Sequence, residues 1–149
     1  MAQGATYQRE HFSDILPQIK QLVPQHGIDA GIVGLDVDYD KFIAIEVAGN
    51  LLCVTARVEN KLVGYAIAMA STDLHRRHVI QLSLQDYYVI EEFRKRGVAI
   101  RLFKELEKML TGSKIESMHV DSKLKYDKLF ELLGWQKTGH IFSKGVKHV

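Results

Sequence analysis

Three long stretches rich in β-branched and apolar residues follow one another between Leu51 and Ile90, and at Val98 the apolar period switches from strand to helix. Leu51 to Val58 and Lys61 to Ser71 flank Glu59-Asn60, which reads as a hairpin turn. His78 to Ile90 forms a third strand after the polar loop Thr72 to Arg77. From Val98, Ala99, Leu102, Phe103, Leu106, Met109 and Leu110 fall on one helical face, with Arg101, Lys104, Glu105, Glu107 and Lys108 on the other. An antiparallel meander that feeds a helix and then another strand implies a mixed sheet with one parallel crossover, and such a crossover opens a cleft.

The flanks fit this frame. Ala5 to Arg9 is a weak first strand. Phe12, Ile15, Leu16, Ile19, Leu22 and Val23 give a helix that Ser13 can cap, Pro17 can enter near its start and Gly27 ends. Tyr39, Phe42, Ile43 and Val47 suggest a second helix stopped by Gly49. Past Gly112, Ile115 to Val120 reads as a strand, Lys123 to Leu133 as a helix stopped by Gly134, and Trp135 to Lys144 as two short strands broken at Gly139. The expected order is β α α β β β α β α β β, neither a strict βαβ alternation nor a segregated list of strands and helices, which gives an α/β chain (α+β mixed sheet) in a single domain over residues 1–149.

Composition excludes several classes. At 149 residues with 46% hydrophobic and 26% charged residues, the chain has the makeup of one globular domain. A net charge of +2 is too small for bulk attraction to nucleic acid or an anionic membrane. No apolar run reaches a membrane-spanning length, and Met1 to Glu10 lacks the pattern of a secretory signal, so a cytoplasmic protein is expected. Cys53, the one cysteine, excludes an internal disulfide, and no His/Cys spacing suggests a metal. In an apolar strand it reads as core, not nucleophile.

Chemistry concentrates at the strand-to-helix junction. Amides at a helix start lack acceptors, Gly97 lets the backbone approach a ligand, Ala99 keeps the next turn small, and Arg94, Lys95 and Arg96 add positive charge. A diphosphate suits that turn. A solvated basic turn opening an amphipathic helix is the alternative reading of the same residues.

The run from Tyr87 to Ala99, with Arg94, Gly97 and Ala99 in register, resembles the acetyl-coenzyme A signature of the GNAT superfamily of N-acetyltransferases. Leu132-Leu133-Gly134-Trp135 is similar to the family's closing Leu-Gly-Phe, Leu62 to Ala66 resembles its third strand, and the element order agrees along nearly the whole chain. A fainter similarity is to small GNAT proteins of tailed phages. The resemblance implies acetyl-CoA as cosubstrate: the backbone of Tyr87, Tyr88 and Val89 would pair with the pantetheine amides. The amides of Lys95, Arg96, Gly97, Val98, Ala99 and Ile100 would cradle the pyrophosphate, and a backbone N–H near Tyr88 or Val89 would polarise the thioester carbonyl.

Proton transfer is where the chain departs from the family pattern. The frequent general-acid tyrosine falls at Phe130, and the nearest hydroxyl on that helix is Tyr126, one turn earlier. Similar amine acetyltransferases carry glutamate where this chain has Gln85, which can position a water or an amine but takes no proton. Asp86 can, although strand alternation sends it to the face opposite Gln85 and Tyr87. His119, with Asp121, is another candidate base, and a hydrogen-bonded strand-end histidine is its simpler reading. His75 to His78 reads as a solvated hairpin tip. Two functions stand: an N-acetyltransferase in which a primary amine of unidentified structure attacks the thioester directly, and a GNAT fold that binds CoA or a protein, such as a virion component, without turnover. A homodimer is compatible with either; nucleic acid and membrane are not expected partners.

Overall fold

The computed structural model describes residues 4–122 and 126–146. One five-stranded sheet, in the order β1-β2-β3-β4-β5, is covered by helices on both faces. The strands are β1 (Thr6–Arg9), β2 (Leu51–Val58), β3 (Lys61–Asp73), β4 (Arg76–Val89) and β5 (Ile115–His119), antiparallel except for the β4–β5 pair. The helices are α1 (Phe12–Ala30), α2 (Tyr39–Val47), the one-turn α3 (Glu91–Arg94), α4 (Val98–Leu110) and α5 (Asp127–Leu132).

The meander forms as its sequence dictates. Glu59 and Asn60 both take positive φ, 51° and 65°, the conformation a two-residue turn needs to match strand twist. The second hairpin is tighter than expected. β3 and β4 run through most of the polar stretch, and Leu74-His75 alone turns the chain, because the Asp73 carboxylate accepts from the His75 N–H (2.8 Å) and from Arg76 Nε (2.9 Å). The tip is exposed, as its polarity implies.

Two separate cores flank the sheet. On one face the apolar stripe of α4 (Val98, Leu102, Phe103, Leu106) packs with Val54, Ala66, Leu82, Leu84 and Phe130. On the other, Phe12, Ile15 and Ile19 of α1 pack on Cys53, Tyr65, Ile67 and Tyr88, with α2 alongside. Burying a side chain of this size is worth about 1.5–3 kcal/mol, so the two cores hold the sheet between them.

Three expectations need correcting. Gly27 does not end α1; Gly31 does, at φ 70°, where its N–H and that of Ile32 return to the carbonyls of Ile28 and Gly27 in a Schellman closure. Gly27 lies inside the helix, where its missing Cβ makes room for Leu35 folding back onto it: a Cβ there would stand 2.9 Å from the Leu35 side chain. Nor does Ser13 cap α1: the Glu46 carboxylate of α2 accepts from the N–H groups of Phe12 and Ser13. Finally, residues 135–146 form no strand. Trp135 is drawn to α4 by its indole, which donates to Glu107 at 2.6 Å, and beyond it Ile141, Phe142 and Val146 are exposed, so no burial offsets the cost of ordering a ladder there. The start of the expected last helix, 123–125, lies outside the described residues; α5 is seen from Asp127.

Candidate active site

β4 has two neighbours at its start and one at its end. Pairing with β5 covers Ile80 to Ser83, opposite Ile115 to His119, and then stops, while pairing with β3 continues to Val89 opposite Gly64. Residues 84–89 of β4 therefore run on past the end of β5, and among the described residues no strand pairs with them on that side, which leaves a gap in the ladder. Ile90 donates to Val63 at 2.9 Å, so by strand alternation Tyr88 turns its main chain toward β3, and Tyr87 and Val89 turn theirs toward the gap. Of the three residues expected to pair with pantetheine, these two face it.

A bulge sits where the gap opens. Ile67 opposes Asp86 and Ala68 opposes Leu84, which leaves Gln85 as the extra residue. The insertion resets alternation. Leu84 points into the α4 core, and without the bulge Asp86 would follow it; instead Asp86 lines a cavity under α1 and α2. Tyr87 returns to the α4 face and Tyr88 to the α1 face. Gln85 is exposed, its side-chain amide near the Ser83 carbonyl.

At the far end of the gap the chain makes the turn that α4 continues. Gly97 has φ 74°, and a Cβ built there would meet nothing within 4 Å, so no atom packs against that position. The first intrahelical bond runs from the Arg101 N–H to the Gly97 carbonyl, which places the amides of Val98, Ala99 and Ile100 ahead of any intrahelical acceptor. Such a helix start carries the positive end of the dipole and suits a phosphate. Lys95 and Arg96 are exposed beside it, the Arg96 guanidinium lying 5.0 Å from the Phe93 ring centre.

Arg94 points elsewhere. Its Nε donates to the Val89 carbonyl at 2.8 Å, its guanidinium lies 5.4 Å from the Tyr88 ring centre, and its far nitrogen pairs with Asp29 near the end of α1. Asp29 also accepts from the Tyr88 hydroxyl (2.9 Å) and the Gln25 amide (2.8 Å). The Arg94, Gln25 and Tyr88 donors hold its carboxyl down to about 2, so it is ionised throughout the physiological range. One turn earlier, His26 stacks on Tyr88 with ring centres 4.6 Å apart and shares a 2.6 Å hydrogen bond with the Tyr65 hydroxyl. Burial lowers its affinity for a proton, which keeps the imidazole neutral at pH 7. His26, Asp29 and Tyr65 carried no local signal: His26 meets Tyr65 across 39 residues of sequence, and Asp29 meets Tyr88 across 59.

The titratable groups divide between the two faces. On the α1 face, burial pushes the Asp86 carboxyl up to about 6 and raises the Tyr65 hydroxyl, the latter with help from Asp86. A carboxylate near 6 is mostly ionised at pH 7 yet accepts a proton readily. On the α4 face, Tyr126 precedes α5 and its ring centre lies 5.9 Å from that of Tyr87, whose hydroxyl burial pushes up to about 12. Phe130 is buried among Tyr87, Phe103 and Trp135, a core ring. The free edge of β4 is thus bordered by Asp86 on one face and by Tyr87 with Tyr126 on the other. His119 is exposed, 3.2 Å from the Ser117 hydroxyl. Cys53 is buried, and burial pushes its thiol up to about 12, too high for a nucleophile.

Several solved structures share this architecture. An aminoglycoside acetyltransferase from an uncultured soil metagenomic sample, in complex with sisomicin, superposes with a TM-score of 0.75 at 16% identity, over 96% of this chain and 97% of that one. Glucosamine-6-phosphate N-acetyltransferase from Arabidopsis thaliana gives 0.75 at 15% identity, over 97% and 99%. A predicted acetyltransferase from Clostridium acetobutylicum, solved with acetyl-CoA, gives 0.74 at 16% identity, over 95% and 96%. At these identities the likeness is one of fold. No curated protein matches the sequence, and among the described residues no helix is long and apolar enough to cross a membrane. The family model of the acetyltransferase (GNAT) domain matches residues 37–149, and with β4 running on past the end of β5 toward the Gly97 turn, the chain belongs to the GNAT family of acetyltransferases, with acetyl-CoA as cosubstrate.

Proposed function

We propose that this protein transfers an acetyl group from acetyl-CoA to a primary amine by direct attack within a ternary complex. The observation that carries the reading is the end of β4: its partner β5 leaves after Ser83, Tyr87 and Val89 turn main-chain groups into the gap, and the gap ends at the Gly97 turn. A pantetheine arm lies along that edge as an added strand, with the amides of Val98, Ala99 and Ile100 at the pyrophosphate, since of the expected Lys95 to Ile100 set the Arg96 N–H already donates to the Phe93 carbonyl at 3.2 Å, and with the Val89 N–H as the donor to the thioester carbonyl. Acetyl-CoA supplies the activated acyl group. Arg94, tied to Val89 and Asp29, fixes the strand end that receives it. Asp86 takes the proton of the incoming amine, Gln85 at the bulge orients it, and the Tyr126 hydroxyl, at the other border of the gap, supplies the proton for the departing thiolate.

The test is thermal unfolding with acetyl-CoA followed by a thiol-release assay on a mixed panel of amines. Ligand at about 100 times its dissociation constant adds about 2.7 kcal/mol of stability. A melting shift and thiol release are expected; no shift at millimolar acetyl-CoA overturns the reading. A second reading, CoA or protein binding without turnover, is favoured by one observation: Phe130, at the position where relatives commonly place the acid, is buried in the core and has no proton to give. A shift without thiol release from any amine decides for it.

A further inference from the structure

The cavity beneath α1 and α2 has a composition that selects its occupant. It holds about 40 Å³ and is partly open to solvent, and eight of its thirteen lining residues carry hydrocarbon side chains, among them Phe12, Ile19, Phe42 and Ile67. Asp86 is the one carboxylate in that lining, and neutral His26 the one imidazole. Tyr65 adds an aromatic ring on the same walls, a surface that attracts an ammonium, while the Tyr39 ring already has the Lys20 ammonium 5.1 Å from its centre. Leu35 and Val37, from the segment between α1 and α2, close one side, with Leu35 seated on Gly27.

From these walls we infer that the acceptor is a monoamine carrying an apolar aryl or branched-alkyl body, its ammonium against Asp86 and its body among Phe12, Ile19, Phe42 and Ile67. A polycation such as a polyamine or an aminosugar would bring several ammonium groups to a lining with one carboxylate, and each unpaired charge would lose its water without a partner. The nearby Asp29 does not serve a second ammonium, because Arg94, Tyr88 and Gln25 already occupy it. A neutral alcohol of the same shape would fill the walls and leave the Asp86 carboxylate unpaired. Asp86, the one residue of β4 in the lining, directly follows the bulge at Gln85 on the strand whose end has no partner on its β5 side, which is where the transferase reading puts the thioester. This inference rests on the transferase reading for the fate of the amine, although the binding preference itself does not.

Calorimetric titration of the full chain tests it, with 2-phenylethylamine, 2-phenylethanol, spermidine and neamine as probes, against the wild type, Asp86→Asn and Leu35→Trp. 2-Phenylethylamine is expected to bind at least tenfold more tightly than the other three. Asp86→Asn, which keeps the shape, is expected to cost it tenfold or more while leaving the acetyl-CoA melting shift intact, and Leu35→Trp is expected to block it by bulk. Tighter binding of spermidine or neamine, indifference of 2-phenylethylamine to Asp86→Asn, or no amine binding at millimolar concentration overturns the inference. Loss of the acetyl-CoA shift in the wild type overturns the transferase reading instead, and the amine titrations still report on the cavity.

Discussion

Arg94 and Val89, five residues apart, are joined by a 2.8 Å hydrogen bond from the guanidinium Nε to the backbone carbonyl, and the same guanidinium pairs with Asp29 on α1. One side chain thus ties the end of β4 to the helix that covers the opposite core. The fork geometry matters, because two directions are satisfied at once, which a lysine ammonium on its flexible stem does not reproduce.

Replacing Arg94 by alanine is expected to lower Tm by about 2–4 °C at most, the effect of roughly 1 kcal/mol in a domain of this size, and to weaken acetyl-CoA about tenfold. Arg94→Lys is expected to recover little of either. Melting curves with and without ligand check both; full recovery by lysine would show that charge alone is required.

Gly97 separates backbone strain from ligand exclusion. At φ 74° an alanine costs about 1–2 kcal/mol, while the open space around the position leaves its Cβ without a clash. Gly97→Ala is therefore expected to lose stability and keep most of its affinity. Gly97→Glu carries the same strain and adds a negative charge where the pyrophosphate lies, so its acetyl-CoA affinity should fall a further tenfold or more. Equal affinity in the two variants would remove the phosphate from this turn.

Asp86 makes a pH prediction with a definite sign. Its folded pKa of about 6 lies above its ordinary 3.8, so between those values the folded state keeps a proton that the unfolded chain has released. Its contribution to stability is present at low pH and fades as pH rises through about 6. Asp86→Asn should flatten that part of the profile and raise stability at pH 7 by about 1–3 kcal/mol, measured by urea unfolding at pH 5 and pH 7. If Asp86 accepts the amine proton, wild-type kcat/KM rises with pH through the same region, and the asparagine variant loses that limb.

Tyr126 and Phe130 share a helix region and divide its work. Phe130→Ala removes a ring packed on Tyr87, Phe103 and Trp135 and should cost about 3–5 kcal/mol. Tyr126→Phe keeps the ring and should leave Tm nearly unchanged, while lowering kcat by a factor of about 10² to 10⁴ with the KM for acetyl-CoA unaltered. Unchanged kcat in Tyr126→Phe would take that hydroxyl out of the proton path.

The sequence by itself determined the elements whose signal is local. The meander follows from two β-rich stretches around Glu59-Asn60, and α4 from an apolar stripe whose buried members are Val98, Leu102, Phe103 and Leu106. The Gly97 turn was legible for the same reason, since a helix start and a residue without Cβ are properties of a few consecutive positions. Tertiary contacts decided the rest. Helix α1 runs past Gly27, whose missing Cβ leaves room for Leu35, and closes at Gly31 instead, and the bulge at Gln85 turns Asp86 away from the core that Leu84 enters. His26, Asp29, Tyr65 and Arg94 become one constellation only after α1 lies on the sheet. Local periodicity fixes which face a residue takes within its own element; a bulge, or a partner reached through long-range packing, is set by energies that no short window of sequence contains.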